Sequence, residues 1–232
     1  MGCNMDMKGQ AFWLAITLSL VASSCSSKAP SDDCISRGNV YYQKGDYDLA
    51  ISEYTEAIRL DPKKVNAFFK RGDAYRKLDK REFAVADYTA VINLDPTNDA
   101  AYGSRGWLNY EEQKYDQAIA DLTEAIRLNS TDAFHYRSRA EAYHKLGKYN
   151  QAITDFSEAI RLDPKDSYAY RACGIIHSKT RDYEQAINDF SGAILLNPKD
   201  ADSYKRRAEA YRALGDEKMA AEDERKVQEL TK

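Results

Sequence analysis

Three histidines, His135, His144 and His177, and four cysteines are the residues of this chain best suited to metal or nucleophilic chemistry. No two of the histidines stand four residues apart, as a zinc-binding pair on one helix would, and there is neither a Cys-x-x-Cys nor a glycine-rich phosphate loop. Carboxylate pairs such as Glu111-Glu112 read as solvated faces. The expectation is therefore no catalytic residue, no metal and no cofactor. A different polar pattern does recur. Arginines at Arg37, Arg71, Arg105, Arg139 and Arg207 are matched by acids at Glu53, Asp87, Asp121, Asp155, Asp189 and Asp223, with Cys173 interrupting the arginine series. A guanidinium near a packing seam needs a partner, because an unpaired buried charge costs several kcal/mol. The pattern predicts a ladder of Arg to Asp or Glu contacts that sets register.

The elements that must position these side chains repeat with a period of 34 residues. Each unit ends near a proline, at Pro62, Pro96, Pro164 and Pro198, with Ser130 substituting once. Twelve residues earlier stands Ala50, Ala84, Ala118, Ala152, Ala186 or Ala220. Small residues at Gly38, Gly72, Gly106, Ala140, Gly174 and Ala208 let two backbones approach. Large apolar residues at Tyr54, Tyr88, Leu122, Phe156 and Phe190 complete the packing set. Apolar positions between Ala133 and Leu146, and again between Tyr149 and Leu162, recur with helical spacing, so each unit predicts a helical hairpin. Gly45, Gly147 and Gly215 suit the left-handed residue that closes a first helix. Prolines stop the second helix, and Asp132, Asp166 and Asp200 stand where a side chain can cap the next.

Period and content resemble the tetratricopeptide repeat over roughly residues 31 to 230. The resemblance implies an all-α fold, a right-handed α-solenoid of about six helix-turn-helix hairpins starting near residues 31, 65, 99, 133, 167 and 201. The last unit reads as a polar cap helix, its charge supplied by Lys218, Glu222, Asp223, Glu224, Arg225, Lys226 and Glu229. Cys34 and Cys173 fall at packing positions, which predicts buried thiols and no disulfide framework.

In this family the first helix of each hairpin lines a concave surface. Carrying its groove positions onto this chain gives Tyr42, Phe69, Arg76, Trp107, Tyr110, Phe134, Arg137, His144 and Arg171 as partner-binding residues, with Tyr168, Glu141 and Asp202 also on the lining. Trp107 lies off the packing positions, in the middle of the array, where an interaction hot spot is expected. Aromatics clustered with arginines imply a protein or peptide ligand, extended or helical, carrying apolar and acidic side chains. The clamp that holds chaperone tails in this family is broken by Ile35, Lys70, Ala100 and Ser104. A net charge of -3 gives no indication of nucleic acid, and the 17 tyrosines mostly serve the repeat's own packing.

Residues 1–24 read differently. Ala11 to Ala22 is apolar or hydroxylic, preceded by Lys8 and followed by Ser23-Ser24-Cys25. Twelve residues at about 1.5 Å each are too short for a bilayer core of about 30 Å and suit a signal peptide. Small residues before Cys25 resemble a bacterial lipobox, which implies acylation of Cys25, although a leucine usually stands where this chain has Ala22. Ordinary signal cleavage at the same place is the alternative. The Gly2-Cys3 start fits myristoylation poorly, since Asp6 replaces the expected Ser or Thr. Residues 25–33 are expected to form a flexible tether, and residues 34–232 the solenoid. The combined expectation is a non-catalytic interaction scaffold of the bacterial cell envelope, lipid-anchored at the outer membrane. A soluble cytosolic adaptor without an anchor is the other reading.

Overall fold

The computed structural model describes residues 29–231, twelve α-helices with no strand among them. The expected signal peptide, Cys25 and the first part of the tether lie outside the described residues. The chain divides after Ala67 into two compact units.

The first unit holds one hairpin, α1 (Pro30–Lys44) and α2 (Tyr47–Leu60). Its tether boundary is corrected by the structure: helix begins at Pro30, so residues 30–33 belong to α1. Proline is preorganised for a first helical position, and Asp32 and Asp33 in the first turn complement the helix dipole. Gly45 closes the helix at φ 84°, as its type predicts. Tyr54 is fully buried and its hydroxyl donates to Asn39 Oδ1 at 2.9 Å. Cys34 is buried with a free thiol.

The helix α3 (Val65–Lys77) continues into the second unit. There follow α4 (Arg81–Leu94), α5 (Asp99–Glu111), α6 (Tyr115–Leu128), α7 (Ala133–Lys145), α8 (Tyr149–Leu162), α9 (Ser167–Lys179), α10 (Tyr183–Leu196), α11 (Ala201–Ala213) and α12 (Glu217–Leu230). Expected repeat starts coincide with the first helices of the hairpins. The side chains of Asp132, Asp166 and Asp200 accept from backbone N–H groups of α7, α9 and α11, as predicted. Asn98 does the same for α5. The second helices α2, α4, α8 and α10 end in an Asp or Asn directly before a proline, for example Asp95 at φ -138°, and α6 ends in Asn129 before Ser130.

Within this unit each hairpin shares its core with the next, as an α-solenoid requires. Phe156 of α8 is fully buried in one cluster with Ala140 of α7 and Ala169, Ala172, Cys173 and Ile176 of α9. Close approach is built in: a Cβ on Gly174 would lie 2.8 Å from the Phe190 ring, and one on Gly106 2.8 Å from Leu122.

The ladder forms inside every hairpin but the fifth. In the first unit Arg37 pairs with Glu53 at 2.8 Å. In the second, Arg71–Asp87, Arg105–Asp121, Arg139–Asp155 and Arg207–Asp223 each close to 2.7 Å. Three of these arginines also reach back one hairpin, Arg105 to Thr89 Oγ1 and Arg139 to Thr123 Oγ1 at 3.0 Å, and Arg207 to Ser191 Oγ at 2.8 Å. One rung thereby links three helices. At Cys173 the series breaks, and Asp189 meets His177 Nδ1 at 2.7 Å. In the cap helix α12 most of the expected charges face outward, but Asp223 is only 3% exposed, since it is the last rung's acid. No helix among the described residues is long and apolar enough to cross a membrane.

Candidate functional site

Helical spacing along α7 puts Phe134, Arg137, Glu141 and His144 on one face, and α5 and α9 flank it with Trp107 and Tyr110 on one side and Tyr168 and Arg171 on the other. Trp107 packs on Tyr110, ring centroids 5.1 Å apart, and on Phe134 at 6.0 Å. The Arg137 guanidinium lies 5.8 Å from the Phe134 ring centre and 6.0 Å from that of Tyr168. The Arg171 guanidinium also lies over Tyr168, 5.7 Å from its ring centre. Three consecutive first helices thus carry one aromatic and guanidinium surface.

Its polar centre is Glu141, only 6% exposed. Tyr110 donates to Oε2 at 3.2 Å, and Tyr168 donates to Oε1 through a short hydrogen bond. Burial, together with the Glu141 charge, pushes both phenols above their ordinary range, so they remain protonated donors. The resulting Tyr–Glu–Tyr bracket ties α5, α7 and α9 together. Beside it opens a concavity of about 420 Å³ bounded by Glu141, His144, Tyr168, Arg171, Ile175 and Asp202.

The predicted cations are engaged within the chain. Arg137 donates to Asp166 at 2.9 Å and Arg171 to Asp200 at 3.2 Å, so each aspartate both caps a helix and holds a groove arginine. The side chains of Arg137 and Arg171 keep 34% and 30% exposure. His144 accepts from Lys179 Nζ at 3.2 Å and lies against Tyr149.

Other predicted residues have contacts of their own. Phe69, partly buried, packs on Tyr88 and against the core cluster of Ala84, Tyr88 and Leu108, at the seam between hairpins. Exposed Arg76 at the end of α3 approaches Asp73 at 3.9 Å. Tyr42, in the first unit, makes an edge contact with Tyr47. The central role of Glu141 was not legible beforehand: it depends on Tyr110 and Tyr168, which are 31 and 27 residues away.

A pH effect follows for His144. Burial and then the Lys179 charge hold its imidazole below the ordinary 6.5, with Glu141 opposing and Lys145 adding to the depression. A base whose folded pKa is lowered binds fewer protons folded than unfolded, so the associated stability is complete above pH about 6.5 and is lost on acidification below it. Hydrogen exchange of the α7 and α9 amides is expected to accelerate between pH 6.5 and 5, after correction for intrinsic rates, and less so in His144→Gln. An equal pH response in the variant contradicts this assignment.

The comparisons agree with this architecture. The TPR repeat pattern matches residues 38–79, 106–147 and 140–180, and two tetratricopeptide repeat patterns match 65–98 and 172–231. No curated protein matches the chain. Among solved structures it is similar to the MamA protein at 26% identity, TM-score 0.67, covering 74% of this chain and 94% of that one. It is similar in fold to PilF of Pseudomonas aeruginosa at 20% identity, TM-score 0.74, with 86% and 91% covered. The same holds for YrrB, described as a TPR protein with an unusual peptide-binding site, at 19% identity, TM-score 0.69, with 76% and 91% covered. With repeat patterns matched from residue 38 to residue 231 almost without a gap, and hairpins sharing their cores at the matched period, the chain belongs to the tetratricopeptide repeat family.

Proposed function

We propose that this protein is a non-catalytic interaction scaffold that takes a peptide or protein segment along the face of α5, α7 and α9. The carrying observation is the half-buried Trp107 packed at a tilt against Tyr110 and Phe134, continuous with arginines that keep about a third of their surface. A large aromatic already held in place loses little freedom on binding and makes a strong apolar anchor. Arg137 and Arg171 each use part of a five-donor fork on an aspartate, and the remaining N–H groups suit a ligand carboxylate. The ligand class is therefore a segment with an apolar anchor and nearby Asp or Glu side chains. The YrrB description is compatible with this reading.

Display of random peptides against the full chain tests it. Selected peptides are expected to combine an aromatic or aliphatic anchor with acids. Trp107→Ala is expected to weaken them by about 30-fold or more, a loss of about 2 kcal/mol. Unchanged affinity in Trp107→Ala and Arg137→Ala variants of unaltered melting temperature rejects the groove.

The N-terminal features support export and acylation at Cys25, and with them a scaffold anchored at a bacterial outer membrane as the proposed location. More than one acyl chain would anchor it stably. Mass spectrometry of the N-terminus from the native host is expected to find acylated Cys25. An intact Met1 would instead favour a soluble adaptor.

A further inference from the structure

The fifth hairpin breaks the ladder at two positions together. Where the other hairpins of the second unit place arginine against the acid, this one has Cys173. One turn later, where Tyr75, Tyr143 and Tyr211 stand, it has His177. Both replacements face the retained acid, Asp189. The Cys173 thiol, a ring nitrogen of His177 and a carboxylate oxygen of Asp189 all lie within 4.8 Å of one another. Cys173 is 2% exposed, and the side chains of His177 and Asp189 are 14% and 17% exposed, so the cluster is enclosed but reaches solvent at its rim. Among the described residues no arginine or lysine pairs with Asp189.

We propose that Cys173, His177 and Asp189 form a zinc site that replaces the missing arginine rung between α9 and α10. Sulfur, imidazole and carboxylate are the donor set zinc takes, and a Cys/His pair four residues apart on one helix presents both donors to the same side. Zinc bonds of about 2.0–2.3 Å place ligand atoms about 3.3–3.6 Å apart in a tetrahedron, so the thiol needs to close in by little more than about 1 Å while the imidazole and carboxylate, now 2.7 Å apart, open by about 0.6 Å. Water takes the fourth position at the rim. On binding, the thiol releases its proton to solvent and a sulfur lone pair forms the Zn–S bond, with no change of oxidation state. The dication then does what the guanidinium does elsewhere: it compensates a carboxylate whose burial raises its pKa despite His177. Burial also pushes the Cys173 thiol up, which makes an unassisted thiolate nucleophile a poor alternative; a bound metal deprotonates a coordinating thiol outright.

The test uses the full chain, reduced with a non-chelating phosphine, and Co²⁺ or Zn²⁺ alone as the probe. One equivalent of Co²⁺ is expected to produce a thiolate-to-cobalt charge-transfer band that Zn²⁺ abolishes, and Zn²⁺ is expected to raise the melting temperature. The double variant Cys173→Arg/His177→Tyr restores the ladder's own residues and is expected to stay folded. It should lose the band, with affinity falling by more than the about 10–100-fold that removal of a supporting hydrogen bond causes. No band in the unaltered chain overturns the proposal. So does a band that persists in the double variant, since it would then arise from Cys3, Cys25 or Cys34.

Discussion

Replacing Arg71 by leucine is expected to cost about 3–5 kcal/mol at neutral pH, the loss typical when one partner of a buried ion pair is removed. Arg71 donates to both oxygens of Asp87, at 2.9 and 2.7 Å, and the two side chains are only 17% and 6% exposed. Burial raises the Asp87 carboxyl above its ordinary 3.8 even with the guanidinium in place. Without Arg71 the carboxyl escapes by taking up a proton. An acid whose folded pKa is raised contributes stability that is present below the unfolded pKa and lost as pH rises through the folded one. The deficit of Arg71→Leu should therefore be smallest near pH 4 and grow towards neutrality. Urea denaturation at several pH values measures it. The double variant Arg71→Leu/Asp87→Leu is expected to recover much of the loss, because an apolar pair avoids the desolvation that the ion pair must offset. An exposed pair makes the control: Arg161, 66% exposed beside Glu158, should be replaceable by alanine with no measurable shift. A pH-independent deficit in Arg71→Leu would mean that the rung acts through packing on Phe68 and Tyr75 rather than charge.

The same rungs show why so much of the fold was legible in the sequence. Each is a contact within one period of the repeat, so Arg71 and Asp87 recur at fixed places and their pairing can be read from spacing alone. Helix ends were equally local: Gly147 at φ 70° and the Asp166 cap depend only on their immediate neighbours. Asp79, Gln113 and Arg181 adopt the same left-handed turn as that glycine, which their residue types did not announce. What escaped the reading crosses between periods. Asp166 and Asp200 were expected as caps, and their second role, holding Arg137 and Arg171, arises only when adjacent hairpins stack. Phe69 and Trp107 have comparable residue character, yet one enters the seam and the other stays on the aromatic face. Cys173 and His177 escaped for the opposite reason: a search for paired histidines or paired cysteines passes over one of each, and Asp189 joins them only across the hairpin.

Truncating Phe156 to alanine is expected to cost about 3–5 kcal/mol, in the range of buried aromatic deletions. The ring is fully buried, and its cluster draws on α7, α8 and α9, so removing it opens the core of its own hairpin and the seam to the next. Small neighbours make relaxation difficult. Ala140, Ala152, Ala169 and Ala172 have no side-chain length with which to fill the space, and only Ile176 among the fully buried members is large. Phe156→Leu should cost less, since the third hairpin already uses Leu122 at this place with full burial. In a repeat array each unit leans chiefly on its neighbours, so the damage should be regional. Hydrogen exchange of Phe156→Ala should show lost protection concentrated in α7, α8 and α9, with α5 and α12 less affected, alongside an earlier urea midpoint. A loss below about 1 kcal/mol would show that the cavity collapses. Protection lost evenly over the unit would show that its hairpins unfold as one, and that the second unit is cooperative beyond nearest-neighbour contacts.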